Sequence, residues 1–189
     1  MFSGCKTITG LDFSNFDSSN VINMNQMFYQ CNQLEYLYIA NLDTSSVTNM
    51  NMMFLGCLAL TSIDLSNFET SKVDNMDALF SYCKNIESFD LESFNTSSVT
   101  SMRSMFMGCS KLKSISLTNF NTSLVSKMSF MFKDCESLKY IDLSSIDTSK
   151  VKLMKGMFDG CINLEEINFK NVVTSSVTEI QWMFQWCSK

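Results

Sequence analysis

The chain contains no histidine and no proline. Without histidine it lacks the commonest general base, the commonest metal ligand and the usual charge switch near neutral pH. Its six glycines form no phosphate-cradling run. No apolar stretch approaches the roughly 18 residues needed to cross a bilayer, so no membrane insertion by this segment is expected. Charged residues are scarce at 17% against 46% apolar, a balance that belongs to folded chains rather than disordered ones.

What is present is one motif written repeatedly. Cys5, Cys31, Cys57, Cys83, Cys109, Cys135, Cys161 and Cys187 lie 26 residues apart without an insertion or deletion, and each ends a string such as MFSGC, MFYQC or MFLGC. A fixed period of this size signals a solenoid, propeller or array. Seven 26-residue repeats account for 182 of the 189 residues, and seven residues of an eighth remain (7 × 26 = 182; 189 − 182 = 7). The expected organisation is a single solenoid over residues 1–189 with no separate caps.

Stacking the repeats places nine apolar side chains per coil inward. In the third repeat they are Met53, Phe54, Cys57, Leu60, Ile63, Leu65, Phe68, Val73 and Met76. Val47, Met50, Met53, Phe54 and Cys57 span an arc of about 120° at helical pitch, which predicts a short helix. From Leu60 the alternation Ser62, Ile63, Asp64, Leu65, Ser66 predicts a short strand with one buried face. A Thr-Ser pair follows in most repeats, Thr44-Ser45 for example, where the serine is placed to cap that helix. The fold class is therefore an α/β repeat solenoid, about 34 Å long at roughly 4.8 Å per coil.

The pattern LxxIxLxxF followed by MFxxCxxL, carried in phase through the whole chain, resembles the leucine-rich repeat and most of all its BspA-like variety. Asn41, Asn67, Asn119 and Asn171 fall one place earlier than that family's usual asparagine. The resemblance implies a right-handed coil with parallel strands on one face and short helices on the other. It further implies an extracellular or cell-surface location and a role in adhesion and protein binding.

The cysteine column reads as small buried hydrophobes, with free thiols favoured over bridges between coils. Parallel Cβ vectors one strand spacing apart are too distant for the usual disulfide. With CxxC pairs and histidines missing, no metal site is expected, and no cofactor. Phe2-Ser3-Gly4-Cys5 resembles the end of a bacterial lipoprotein signal, but Cys5 is in phase with the column, so packing is its expected duty. Asn95-Thr96-Ser97 and Asn121-Thr122-Ser123 match the glycosylation pattern and equally the repeat's ordinary turn.

Function is expected where side chains leave the repeat and face solvent. On the strand face these are Tyr36, Tyr38 and Tyr140, with an acidic stripe of Asp64, Asp90 and Asp142. Exposed tyrosine offers area and a hydrogen bond at low entropic cost, so these six form the candidate binding residues. Nothing in the sequence assembles a catalytic centre, because aligned carboxylates on an open face lack the exclusion of water that acid–base chemistry needs. The expected activity is non-catalytic binding of a protein or cell-surface ligand.

Residues 1–94 carry 3 basic and 11 acidic side chains (net −8) and residues 95–189 carry 11 and 8 (net +3). The basic half is not interleaved with stacking aromatics, which argues against nucleic acid. Both ends fall in mid-repeat, so the segment is expected either to be part of a longer array or to meet copies of itself end to end as a structural filament.

Overall fold

The computed structural model describes residues 1–189. Each 26-residue repeat is one coil. Strand β1 (Gly10–Asp12) pairs in parallel with β2 (Tyr36–Tyr38), Gly10 opposite Tyr36, and β3 (Tyr140–Asp142) pairs with β4 (Glu166–Asn168), Tyr140 opposite Glu166. On the opposite side, parallel bridges at the same offset join Asn23 to Asn49, Asn49 to Asn75, and so onward to Glu179.

The second side is not helical, which corrects the sequence expectation for segments such as Val47–Cys57. It is a chain of tight turns. Met53, Leu55 and Cys57 donate their N–H groups three residues back to Met50, Met52 and Phe54, at 3.1 to 3.2 Å. The residues between them leave the coil: Met52 donates to the Asp77 carbonyl at 2.9 Å, Phe54 to Leu79 at 3.0 Å and Gly56 to Ser81 at 2.8 Å. A helix would consume every donor within itself and could approach its neighbour no closer than about 8 Å. Bridged backbones at strand spacing leave no room for that.

The alternation requires two left-handed residues per coil, four positions apart. Gln26 and Gln30 have φ of 55° and 54°, Met52 and Gly56 of 55° and 77°, Ala78 and Tyr82 of 53° and 59°. Left-handed geometry costs a non-glycine residue on the order of 1 kcal/mol, so it persists only where the surrounding bonds enforce it. The second of these positions reads Gly4, Gln30, Gly56, Tyr82, Gly108, Asp134, Gly160 and Trp186, glycine alternating strictly with a larger residue. The reason is steric. A Cβ on Gly108 would lie 2.5 Å from the Tyr82 ring, and one on Gly56 would lie 3.3 Å from Gln30.

The predicted inward columns form one continuous core. Its spine is a file of stacked rings running Phe2, Phe28, Phe54, Phe80, Phe106, Phe132, Phe158 and Phe184, with centroids 5.5 to 6.0 Å apart. All eight cysteines are free, and those from Cys31 to Cys161 are buried. Packing is not their whole duty. Each thiol from Cys31 onward donates to a phenylalanine carbonyl one coil back: Cys57 to Phe28 at 3.3 Å, Cys109 to Phe80 at 3.2 Å, Cys161 to Phe132 at 3.0 Å.

The Thr-Ser turn also differs from the capping role expected of it. The threonine is the buried member, and it clasps the next coil: Thr44 Oγ1 donates to the Glu69 carbonyl at 3.0 Å and accepts the Glu69 N–H at 2.7 Å. Thr70 does the same with Asn95, and Thr148 with Val173. The preceding Asp or Asn holds the serine N–H, as Asp43 does for Ser45 and Asn95 for Ser97. Off the family's usual asparagine position, Asn67 and Asn171 each donate to a carbonyl of the previous coil at 2.7 Å.

Ser18 occupies the threonine position of the first coil, and its buried hydroxyl has no partner. Ser18→Thr adds the methyl that fixes the rotamer in the other coils and should raise stability by about 1 kcal/mol, read from the urea midpoint. Thr96→Val, which deletes the bond to Asn121, should lower it by a similar amount.

Burial pushes the thiols up, to about 12 for Cys109 and Cys161. A raised folded value favours the neutral thiol. Its stabilisation is complete below the unfolded value near 9 and is lost as pH rises from there toward 12. Stability should fall by up to about 1.4 kcal/mol per pH unit for each buried thiol, and less steeply in Cys109→Ala. Urea unfolding on either side of the unfolded thiol value checks the slope. Rapid labelling of the native protein by a bulky thiol reagent would contradict it.

Candidate binding face

Alternation along β2 sends Leu37 into the core and Tyr36 and Tyr38 outward, 60% and 63% exposed. On β3, Ile141 is buried while Tyr140, 46% exposed, and Asp142 face solvent. Asp64 and Asp90 lie exposed in the third and fourth coils between them. All six predicted residues therefore share one face, but they do not converge on one point. Four coils separate Tyr36 from Tyr140, about 19 Å at strand spacing.

Between β2 and β3 the strand ladder is open. Residues 62–64, 88–90 and 114–116 occupy the strand position of their coils, yet none of them exchanges a backbone hydrogen bond with a neighbour. The side chains over this stretch are short and polar: Ser62, Ser88, Ser114 and Ser116 beside Asp64 and Asp90. The face is thus a polar floor with tyrosines toward both ends.

Most of the aspartates on this face are committed to their own turns. Asp12 accepts the Ser14 hydroxyl and N–H at 2.5 and 2.8 Å, and Asp64 accepts those of Ser66 at 2.7 and 3.0 Å. The serine hydroxyl first, then the N–H, holds each carboxyl below the ordinary carboxylate value. Asp142 is lowered in the same way by Ser144. Partial desolvation, then the charges of Asp142 and Glu166, pushes the Tyr140 phenol up. Asp90 is the exception in this column, because Glu92 stands where the serine would be and supplies only its N–H, at 3.1 Å.

The sequence reading missed a cleft of about 340 Å³ at this exception, between the fourth and fifth coils, walled by Phe89, Leu91 and Phe120 and rimmed by Asp90, Glu92 and Thr118. One signal for it was available: Phe89 is the only aromatic in a column otherwise reading Leu11, Leu37, Ile63, Ile115, Ile141 and Ile167.

On the turn side, Lys133 bridges Asp159, which is buried, and lies 3.9 Å from Asp134. Desolvation opposes the Lys133 charge, but the Asp159 bond and both carboxylates outweigh it and raise its value.

A 26-residue parallel coil with buried Leu and Ile columns defines a leucine-rich-repeat solenoid. Its fold is similar to the leucine-rich repeat protein TpLRR of T. pallidum, with 24% identity and a TM-score of 0.54 over 78% of this chain and 63% of that one. A leucine-rich repeat protein from Bacteroides ovatus matches at 19% identity and TM-score 0.39, over 98% of this chain and 66% of that one. A leucine rich cell surface protein from Faecalibacterium prausnitzii matches at 19% and 0.42, over 76% and 35%. The chain thus spans less than two thirds of each of these proteins. No curated protein matches it. The family model described as "Mycoplasma protein of unknown function, DUF285" matches residues 1–114 and again 82–189, together the whole chain. The chain belongs to that family of BspA-like leucine-rich repeats.

The turn geometry is open to direct test. By NMR titration the Asp64 carboxyl should have a midpoint below 3.8, and Ser66→Ala should raise it toward that value. An unchanged midpoint would remove the serine as its cause.

Proposed function

We propose that the chain is a non-catalytic binding module that recognises a protein or other cell-surface ligand through its strand face, at the outside of the cell. The observation that carries this is the outward pair Tyr36 and Tyr38, more than half exposed on a short parallel strand above a floor of serines and aspartates. Large amphipathic rings held by a rigid backbone make contact area at low entropic cost. Asp64, Asp90 and Asp142 give the face a negative stripe that would select among partners by charge. The free thiols from Cys31 to Cys161 are compatible with an extracellular setting, because a sulfur sealed inside the coil is not available for exchange, while Cys5 and Cys187 are half-buried.

Support also comes from what the design does not provide. Every coil has the same length, so no insertion closes over the face to exclude water. Recognition needs no such closure.

The test is an array of extracellular proteins and glycans probed with the labelled chain and with two variants. Tyr38→Ala should weaken the strongest interaction by about 1 kcal/mol or more, and replacing Tyr36, Tyr38 and Tyr140 together should abolish it. Undiminished binding by the triple variant, with its circular dichroism unchanged, would move the function off this face.

A further inference from the structure

The cleft between the fourth and fifth coils departs from the repeat in three ways that converge. The first is the wall. Phe89 fills an aliphatic position, and its ring packs 4.5 Å from Phe80 and 5.4 Å from Phe106, against the stacked file. An aromatic ring placed where other coils carry Leu or Ile needs more room between neighbouring coils.

The second departure is the seam. Asn67 and Asn171 tie their coils to the previous one at 2.7 Å, whereas the Asn119 amide reaches the Glu92 carbonyl only at 3.5 Å. Neither Phe89 nor Ile115 forms a backbone hydrogen bond. The two strand segments are tied just ahead of the cleft by Lys113, which donates its N–H to the Glu87 carbonyl at 2.9 Å and its ammonium to the Glu87 carboxylate at 2.6 Å.

The third departure is charge. Asp12 and Asp64 each receive a serine hydroxyl, but Asp90 and Glu92 stand two residues apart on the cleft rim, and neither forms a salt bridge. The cleft therefore combines narrow apolar edges of Phe89, Leu91 and Phe120, set in an otherwise polar lining, with two unneutralised carboxylates at its mouth.

We propose that this cleft receives a lysine or arginine side chain from a partner polypeptide, its methylene stem lying along Phe89 and Leu91 and its cationic head at Asp90 and Glu92. Long basic side chains pair an apolar stem with a charged head, which is the distribution the cleft presents. A bare cation would satisfy the rim and leave the wall empty. An apolar side chain would fill the wall and leave the carboxylates unpaired. The proposal rests on the strand face being the binding face and names the chemistry of its central contact.

The probes are three capped pentapeptides, glycines flanking a central lysine, arginine or norleucine, titrated into the whole chain by NMR. The lysine or arginine peptide should shift the resonances of Phe89 and Ser116 and bind at least about tenfold more tightly than the norleucine peptide. Asp90→Asn with Glu92→Gln should remove that preference. Phe89→Ile, which keeps both carboxylates and restores the aliphatic column, should close the cleft and weaken lysine binding as well. Equal binding of the lysine and norleucine peptides, or full lysine binding by Phe89→Ile, would overturn the proposal, the latter by showing that surface charge alone suffices. Either result could stand beside loss of array binding in the triple tyrosine variant, so the cleft can fail while the face survives.

Discussion

Everything in this fold depends on backbone donors that leave their own coil on the turn side. Alternate residues bond three positions back and one coil forward, so each turn segment is complete only when the next lies against it in register. One residue more or less would exchange the two kinds of donor and set every later side chain on the wrong column. The strict 26-residue spacing over seven repeats is the sequence's record of that constraint. The left-handed residues follow from it, since a chain that folds back every few residues while presenting evenly spaced donors must reverse its twist twice per coil.

The strand side is relieved of that duty. Because the turns, the threonine clasps and the phenylalanine file already fix the distance between coils, the strand ladder can be left open over three of them without loss of register. That division separates stability from recognition. Residues on the open face answer to solvent and partners, which is why the column through Tyr38, Asp64, Asp90 and Ser116 varies while the cysteine column never does.

The period, the inward columns and the outward face were legible in the sequence because each depends on side-chain volume and polarity recurring at fixed positions. The helix was not. Apolar residues at Val47, Met50, Met53, Phe54 and Cys57 satisfy a helix and a succession of three-residue turns alike, and only the glycine recurring within that segment, at Gly56, Gly108 and Gly160, separates the two. Thr44 and its equivalents give no local sign of their role, because a clasp to a residue 25 positions away leaves no trace beside the neighbouring serine. The cleft at Phe89 depends on how one ring sits between coils, and position alone does not give that.

The alternation of glycine with larger residues beside the cysteines bears on how such a chain could change length. Gly108 leaves room for the ring of Tyr82, and Gly160 for Asp134, so along this column the unit that repeats is two coils of 26 residues rather than one. Excising a single coil, say residues 95–120, would bring Asp134 against Tyr82 at the distance where a Cβ already collides with the ring. Excising two would restore the match. Gene duplication and loss in this lineage should therefore leave arrays that differ by even numbers of coils, a parity written into the packing of one surface column.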